Sequence, residues 1–552
     1  MGSSNAFAGD EDVAPMRDCP MPNIVPCLLF EDDHLLVVNK PPGWNTHAPS
    51  PYAGEGIYDW LRHRDVRWTD LAIIHRLDKE TSGVLVFSKS VLANRELTRQ
   101  FTARQVKKQY LLVTDRPVPA APLRFTSHLV RDGDRYRSQP PGRPGTPAET
   151  VFRPSESMGE RTTVEAFPAT GRTHQIRVHA AAAGFPILGD PLYGGTPAAR
   201  LYLHAASVTL RHPATSQTVV FCAPADWDRD PAQALRGGFI APDETDAYRV
   251  IHGAADGWPG WYVDRLGPFL LSQSEGQLTG DQKAALERWM AGMSVRGVYH
   301  KQRDRRVRSS APEDVAPQRV LGEPVSGDVM VRENGLCYAV RFDQGYSIGL
   351  FLDQRDNRRR LLTGHIAGGL SAYPDGCKGV EVLNLFAYTC AFSVAAARAG
   401  ARVTSVDLAR KYLDWGRRHF AVNQMDPDGH DFLYGDAFDW LRRLAKRGRR
   451  FDLVLVDPPT FSTSKTGGRF RAEADWPRLA RAALAVLAPG GWLFASTNAA
   501  RLEPGRFLDQ LTAAAGEARR RVLDRHYAPQ PPDFPICRAE PAHLKTVWLR
   551  IE

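Results

Sequence analysis

The sequence predicts a multidomain α/β protein that ends in a doubly wound, Rossmann-like domain. Two observations lead there. At 552 residues the chain exceeds what one hydrophobic core supports, so three or four folding units are expected. Between Gly379 and Asp407 an apolar strand, a loop, a helix and a second strand follow in order, a βαβ unit of the kind that builds a parallel sheet. Hydrophobic residues at 43% and charged residues at 24% describe a soluble globular chain. No apolar run approaches the roughly 20 residues a membrane span needs. The first thirty residues lack the basic start and apolar core of a secretory signal, and Ala6 stands where a myristoylation signal needs Ser or Thr. The seven cysteines are scattered without a C-x-x-C pair, which argues against a disulfide framework or a zinc site. A reduced, cytoplasmic protein is expected.

The net charge is +9, and its distribution is uneven. Lys301–Arg308, Arg355–Arg360 and Lys446–Arg450 are dense basic clusters. Such clusters can neutralise phosphates and steer a nucleic acid toward a site, or can be solvated helix faces.

Residues 1–21 form a polar tail expected to be disordered, and a first domain is expected over 22–224. Cys27–Phe30 and Leu35–Lys40 read as strands around the turn Glu31–His34, and Pro41-Pro42-Gly43 closes the second. Then comes His75-Arg76-Leu77-Asp78-Lys79-Glu80-Thr81-Ser82-Gly83, between the apolar stretches Ala72–Ile74 and Val84–Phe87. It reads as a loop joining two strands. Asp78 lies between Arg76 and Lys79, cations that would hold it ionised, as suits a nucleophile. Taken alone, the segment reads equally well as a charged surface turn. Leu92–Phe101 reads as a helix with Leu92, Leu97 and Phe101 toward the core, and Val106–Val113 as a returning strand. Thr170-Gly171-Arg172-Thr173-His174-Gln175-Ile176-Arg177 and Pro186–Gly194 complete the distinctive stretches.

The H-R-L-D-x-x-T-S-G loop, the Asn39-Lys40-Pro41 element, the strand around Lys108-Gln109-Tyr110 and the Arg172–His179 stretch together resemble the RluA-type RNA pseudouridine synthases. The resemblance covers about 200 residues. It implies an α+β fold on a mixed or antiparallel sheet, and a reaction that needs no cofactor. It makes Asp78 the catalytic aspartate and assigns Tyr110 to the uracil pocket, where a ring can stack on the base. Arg177 would pair with Asp78 through its guanidinium fork, and Arg76 would take the place of an extruded base. His174 and His179 could pass for metal ligands, but no acidic or thiol partner has ligand spacing, so no metal is assigned. The S4 RNA-binding domain of many family members has no counterpart in the short N-terminal stretch, so RNA affinity is expected to come from elsewhere in the chain.

Residues 225–246, polar and rich in Pro and Gly, read as a linker. From Tyr248 to Arg265 the run H-G-x-x-D-G-x-P-G-x-x-V-D-R resembles the small domain that precedes the catalytic domain in RlmI- and RlmK-type rRNA methyltransferases. A small RNA-presenting α+β domain is therefore expected over 247–342, with one amphipathic helix at Leu278–Met293.

The last domain is expected over 343–552. Asp407 follows Asn384 by 23 positions, and an acid so placed at the end of the second strand binds ribose hydroxyls. Gly435-Asp436-Ala437-Phe438, Asp457-Pro458-Pro459 and Leu487–Ser496 follow in order. Together with Gly349-Leu350-Phe351-Leu352-Asp353-Gln354-Arg355, these resemble the class I S-adenosylmethionine methyltransferases of the RlmI/RlmK type. The resemblance implies cofactor contacts from Asn384, Phe386, Tyr388, Asp407, Asp436, Asp457, Asp353 and Arg355, with Asp457 also catalytic beside the accepting base. The first loop departs from the family, with Tyr388-Thr389-Cys390-Ala391 in place of Y-T-G, and Cys390 is expected to fill space there. An NAD-binding Rossmann domain is the competing fold, and the D-P-P run opposes it.

Cytosine C5 is not nucleophilic, so its methylation needs an attacking cysteine. The RlmI type carries one after the strand equivalent to Phe494-Ala495-Ser496. Here Thr497-Asn498 follow, as in the RlmK type, so guanine N7 is the expected acceptor. The chain thus reads as a bifunctional RNA-modifying enzyme acting on large-subunit rRNA, with S-adenosylmethionine as cofactor of the second half only and no membrane partner. The alternatives are tRNA as substrate, cytosine C5 as acceptor, or a non-catalytic ribosome-assembly factor that uses both folds to bind RNA.

Overall fold

The computed structural model describes residues 25–303, 316–343, 347–464 and 468–552. The expected tail, residues 1–21, lies outside them. Among the described residues no helix is long and apolar enough to cross a membrane, and no cysteine is in a disulfide.

An eleven-stranded sheet organises the first domain. Across it run Leu28–Glu31, Leu35–Lys40, Ser82–Ser88, Leu203–Arg211, Lys107–Thr114, Arg161–Pro168, Thr146–Met158, Leu123–Asp132 and Arg135–Gln139, with Ala72–Ile73 and Thr218–Cys222 as side branches. All pairs are antiparallel except Leu203–Arg211 with Ser82–Ser88. The central strand is buried from Ser82 to Ser88, which accounts for its unbroken apolar run Val84–Phe87. The expected helix is Val91–Thr102, started by the Ser90 hydroxyl accepting from the Ala93 N–H.

A five-stranded sheet forms the middle domain, in the order Ala247–His252, Trp261–Leu266, Phe269–Ser274, Gly297–Gln302, Gln318–Gly322. Its helix Gly280–Gly292 opens on a reciprocal cap between Thr279 and Gln282 and buries Leu286 and Trp289.

The C-terminal sheet runs Asp431–Tyr434, Arg402–Asp407, Glu381–Leu385, Phe451–Val456, Leu487–Thr497, Lys545–Ile551, Val522–Pro529. The first five strands are parallel, Lys545–Ile551 runs antiparallel to them, and Val522–Pro529, antiparallel to Lys545–Ile551, returns to their direction. Strand order reverses between Glu381–Leu385 and Phe451–Val456, the switch point where such sheets bind ligands beyond the carboxyl ends of their strands.

Three expectations are corrected. The stretch 225–246 is not a spacer. Asp230 and Pro231, which read as breakers, are the N-cap and first residue of a helix, Pro231–Gly237. That helix and the following turn bury Leu235, Phe239 and Ile240 against Trp44 and Trp60 of the first domain. The hairpin Val329–Glu333/Leu336–Val340, placed with the middle domain, packs into one core that joins Phe269 and Tyr299 of the middle sheet to Val382 and Phe494 of the C-terminal sheet and Val394 of the helix Ala391–Ala399, so no gap between cores falls at 342/343. Third, Arg355–Arg360 is no basic surface. Arg355, Arg358, Arg359 and Arg360 are all buried in the helix Arg355–Thr363. Arg355 is bidentate to Asp533 at 2.8 and 2.8 Å, and Arg358 to Glu333 at 2.6 and 2.6 Å. Arg359 donates to the Arg64 carbonyl at 3.3 Å, across to the first domain. The acids that neutralise this run are far away in sequence, so its letters alone cannot be told from a phosphate-binding patch. Of the other clusters, Lys446, Arg447 and Arg450 are exposed, while Asp304–Arg308 lie outside the described residues.

Candidate active sites

The first site is built on the loop from His75 to Gly83. Buried Lys40 donates to the carbonyls of Pro41, Trp44 and Lys79 at 2.9, 2.7 and 3.0 Å, tying the loop to the neighbouring strand. Burial pulls its ammonium down to about 7. The Thr46 hydroxyl donates to the Leu77 carbonyl at 2.9 Å and accepts from the Leu77 N–H at 3.2 Å. His75 accepts from the Val86 N–H at 3.1 Å through Nε2 and stacks on Phe101. Burial lowers its pKa to about 3, so it serves as a neutral acceptor. Lys40 and Thr46 thus hold the backbone on both sides of Asp78.

Asp78 is brought together with the other expected residues. It faces Arg177 Nη1 at 3.7 Å and His174 Nε2 at 3.8 Å. Arg76, Asp78, Lys108, Tyr110, His174 and Arg177 line one cavity of about 70 Å³. Burial, then the charge of Asp78, raises the Tyr110 phenol, so it holds its proton. The expectation for Arg177 needs correction. Its fork, Nε and Nη2, is spent on fully buried Asp190 at 2.7 and 2.8 Å, and only the remaining nitrogen faces Asp78. Burial works against the Arg177 charge, but Asp190 and Asp78 outweigh it and the pKa is raised. His174, in a left-handed conformation at φ 55°, is held by the Tyr193 hydroxyl at 2.8 Å. His179 is buried between Ser127 and Thr150 and takes no part in the cavity.

The second site lies along the carboxyl ends of the parallel strands. Phe386 and Asp457 follow the two switch-point strands directly, Asp407 ends the next and Asp436 follows the edge strand. Asp407 accepts from the N–H groups of Tyr388 and Ala409 at 2.8 and 2.8 Å. Burial raises its pKa, and these two bonds partly offset that. Asp436 caps the helix Ala437–Lys446 by accepting from the N–H groups of Phe438 and Asp439. Phe386, Tyr388 and Cys390 all have positive φ, 57°, 49° and 60°, so the first loop is tightly wound over the strand end. Such conformations cost of order 1–3 kcal/mol each and cluster at ligand sites. Asp407 and its exposed neighbour Leu408, with exposed Phe351 tilted against Tyr388 at a ring separation of 5.3 Å, offer a carboxylate and apolar surface at one rim. That donor set fits an adenosine: ribose hydroxyls on the acid and the purine on the hydrocarbon.

Asp457 sits at the switch point. It accepts from Gln354 Nε2 at 3.0 Å, and the same amide bonds the Ser496 hydroxyl at 2.7 Å. Burial raises Asp457 to about 6, with these partners opposing. The Gly349–Arg355 element therefore reaches the site through Gln354, which the sequence reading did not single out. Asp353 lies one step away, bonded to His543 at 3.1 Å on the wall of a cleft of about 700 Å³ shared with the middle domain. Two expected contacts are corrected. The Arg355 guanidinium is enclosed with Asp533, and buried Asn384 donates to the Ser393 hydroxyl at 2.9 Å, between sheet and helix. Cys390 is fully buried and its thiol is pushed up to about 12 by burial. Gly416 on the facing helix leaves room for it: a Cβ there would lie 2.5 Å from its sulfur.

Residues 249–550, more than half of the chain, match the S-adenosylmethionine-dependent methyltransferase family model. The chain belongs to this family. Residues 34–182 match the RNA pseudouridylate synthase model, and the chain carries both enzymes, a synthase without a cofactor and a methyltransferase that uses S-adenosylmethionine. A ribosomal RNA large subunit methyltransferase of Deinococcus radiodurans is 33% identical over 330 residues, 58% of this chain and 76% of the relative. The ribosomal large subunit pseudouridine synthase C of Yersinia pestis is 38% identical over 213 residues, 36% of this chain and 66% of the relative. The crystal structure of SMU.776 complexed with SAH is 29% identical and covers 58% of this chain and 79% of that one, at TM-score 0.50.

Proposed function

We propose that the chain modifies large-subunit ribosomal RNA twice, isomerising a uridine at the Asp78 site and methylating guanine N7 at the Asp457 site. The names of the relatives on both halves support rRNA as the common substrate.

At the first site the C1′–N1 bond of uridine is exchanged for C1′–C5, and the proton displaced from C5 leaves. Asp78 faces the ribose, either attacking C1′ or removing the neighbouring proton. The Arg177 charge, fixed by Asp190, holds Asp78 in position for that step. Tyr110 supplies the wall on which the uracil ring turns, and exposed Arg76 enters the RNA stack.

At the second site S-adenosylmethionine supplies the methyl group, with Asp407 on its ribose and Asp436, Phe386 and Tyr388 around the adenosine. Asp457 is the acceptor-side group: its ionised form takes the N–H edge of guanine and holds N7 toward the methyl donor. The observation that carries guanine N7 over cytosine C5 lies just beyond Ser496. Asn498 occupies the position where C5 chemistry needs a thiolate, and it accepts from Thr460 at 2.6 Å. Cys390 is no substitute, being buried with a raised pKa. RNA approaches through the cleft between the middle sheet and the methyltransferase domain, which Lys301 and Arg303 line.

Nucleoside mass spectrometry of rRNA and tRNA incubated with the protein and S-adenosylmethionine tests this. New 7-methylguanosine in 23S rRNA is the expected result. Cys537, a half-buried free thiol, is the remaining rival nucleophile. New 5-methylcytidine that disappears in Cys537→Ser would replace the N7 reading with the C5 one, and modification of tRNA alone would overturn the substrate.

A further inference from the structure

Where the synthase domain meets the methyltransferase domain, three side chains converge that neither reaction uses. Glu55 and His63 come from the start and end of the segment containing the helix Ile57–Arg64, and His526 comes from the edge strand Val522–Pro529. Each offers a ligand atom within 4.8 Å of the other two. The Glu55 carboxylate accepts from or shares a proton with His63 Nδ1 at 2.6 Å, and the rings of His63 and His526 lie 4.6 Å apart at 72°. His526 is half-buried, but its Nε2 is out of contact with solvent and has no hydrogen-bond partner. A buried imidazole nitrogen left unpaired calls for an explanation such as an ion or a water.

We propose that Glu55, His63 and His526 bind a divalent transition metal of the zinc class that fastens the two catalytic domains together. Two imidazoles and a carboxylate are a ligand set for such an ion, with a fourth position left to water. At metal–ligand distances of about 2.0–2.2 Å, tetrahedral neighbours lie roughly 3.3 Å apart, so the longer separations close by at most about 1.5 Å while the 2.6 Å contact between Glu55 and His63 opens by less than about 1 Å. One contact opposes it: Arg360 Nη2 lies 3.6 Å from the Glu55 carboxylate, and the ion displaces it. Flanking contacts already hold the seam near this geometry. Tyr52 packs edge-on against Tyr527 at 5.1 Å, and His365 Nε2 donates to the Arg62 carbonyl at 3.0 Å. Glu55 and His63 lie more than 460 residues from His526, so no local ligand spacing announces the trio.

The test uses the full chain without an affinity tag, dialysed against zinc, freed of excess and analysed for metal and for thermal unfolding. About one equivalent should be retained, and chelation should lower the unfolding temperature by a few degrees. Glu55→Gln, which keeps the side-chain shape, and His526→Ala should each lose the metal and the chelator effect while both enzyme activities persist. Cobalt in place of zinc should show the visible absorption of a tetrahedral site. No retained metal means a water or nothing on His526, and overturns the proposal. Zinc retained equally by wild type and both variants places the ion elsewhere and overturns it too.

Discussion

Asp190→Asn is the most informative single change at the synthase site, because Asp190 touches the cavity only through Arg177. Both partners are buried, Arg177 at 5% exposure and Asp190 at 0%, and they share two hydrogen bonds of 2.7 and 2.8 Å. The amide keeps the shape but turns one acceptor into a donor facing the guanidinium, leaving a buried charge without its counterion. Breaking a buried pair in this way costs about 3–5 kcal/mol. For a domain of this size, each kcal/mol lowers the unfolding temperature by roughly 2–4 °C, so a drop of about 6–20 °C is expected in the synthase transition. The released fork can turn toward Asp78 and remove it from the ribose. Loss of a positioning contact of this kind costs on the order of 10²-fold in rate. Single-turnover pseudouridine formation on 23S rRNA fragments, followed below the new unfolding temperature, should show this fall in the chemical step with little change in RNA affinity. Methylation by the same preparation should be unaffected. A folded Asp190→Asn protein with wild-type pseudouridine rate would refute the idea that Asp190 aims Arg177 at Asp78.

Gly416→Ala should destabilise the methyltransferase domain by about 1–3 kcal/mol, since its Cβ would press on the Cys390 sulfur. Adding Cys390→Gly should restore stability in a denaturant-melt double-mutant cycle, and strictly additive effects would count against the contact. The methylation rate should rise with pH through about 6, the value at which buried Asp457 becomes the carboxylate that accepts a guanine N–H. The sign for stability is opposite: with a folded pKa above the ordinary carboxylate value, Asp457 lowers stability as pH rises from about 4 to about 6. A single-turnover rate that is flat from about pH 5 to about 7 would remove Asp457 from the accepting site.

Much of both sites is written in local runs of sequence. Asp407, Asp436 and Asp457 share one rim because each stands at or just after a strand end that an apolar run announces, while Asp78 from a loop, Tyr110 from a strand and Arg177 from the helix Gln175–Ala182 meet in one cavity, each carried by its own distinctive run. What the runs do not carry is who neutralises whom. The motifs pair Arg177 with Asp78, and only the fold shows that Asp190 takes the fork. Arg355–Arg360 has the density of a phosphate patch but is buried among acids such as Asp533 and Glu333. The same limit hid Lys40 and Gln354, which act by reaching across to another element. Breaker residues misled at 225–246, where Asp230 and Pro231 begin a helix instead of a spacer. Cys390 fills space beneath the first loop, and the reason it fits lies in Gly416 on the neighbouring helix, which no local run announces.

The central claim is that one chain holds two catalytic centres, one at Asp78 and one at the switch-point rim. Mass spectrometry of nucleosides from a single 23S rRNA preparation treated with Asp78→Asn tests it most directly. Pseudouridine should fall to background while S-adenosylmethionine-dependent methylation continues at the wild-type rate. Loss of both modifications in a folded Asp78→Asn protein, or pseudouridine formed without the aspartate, would contradict it.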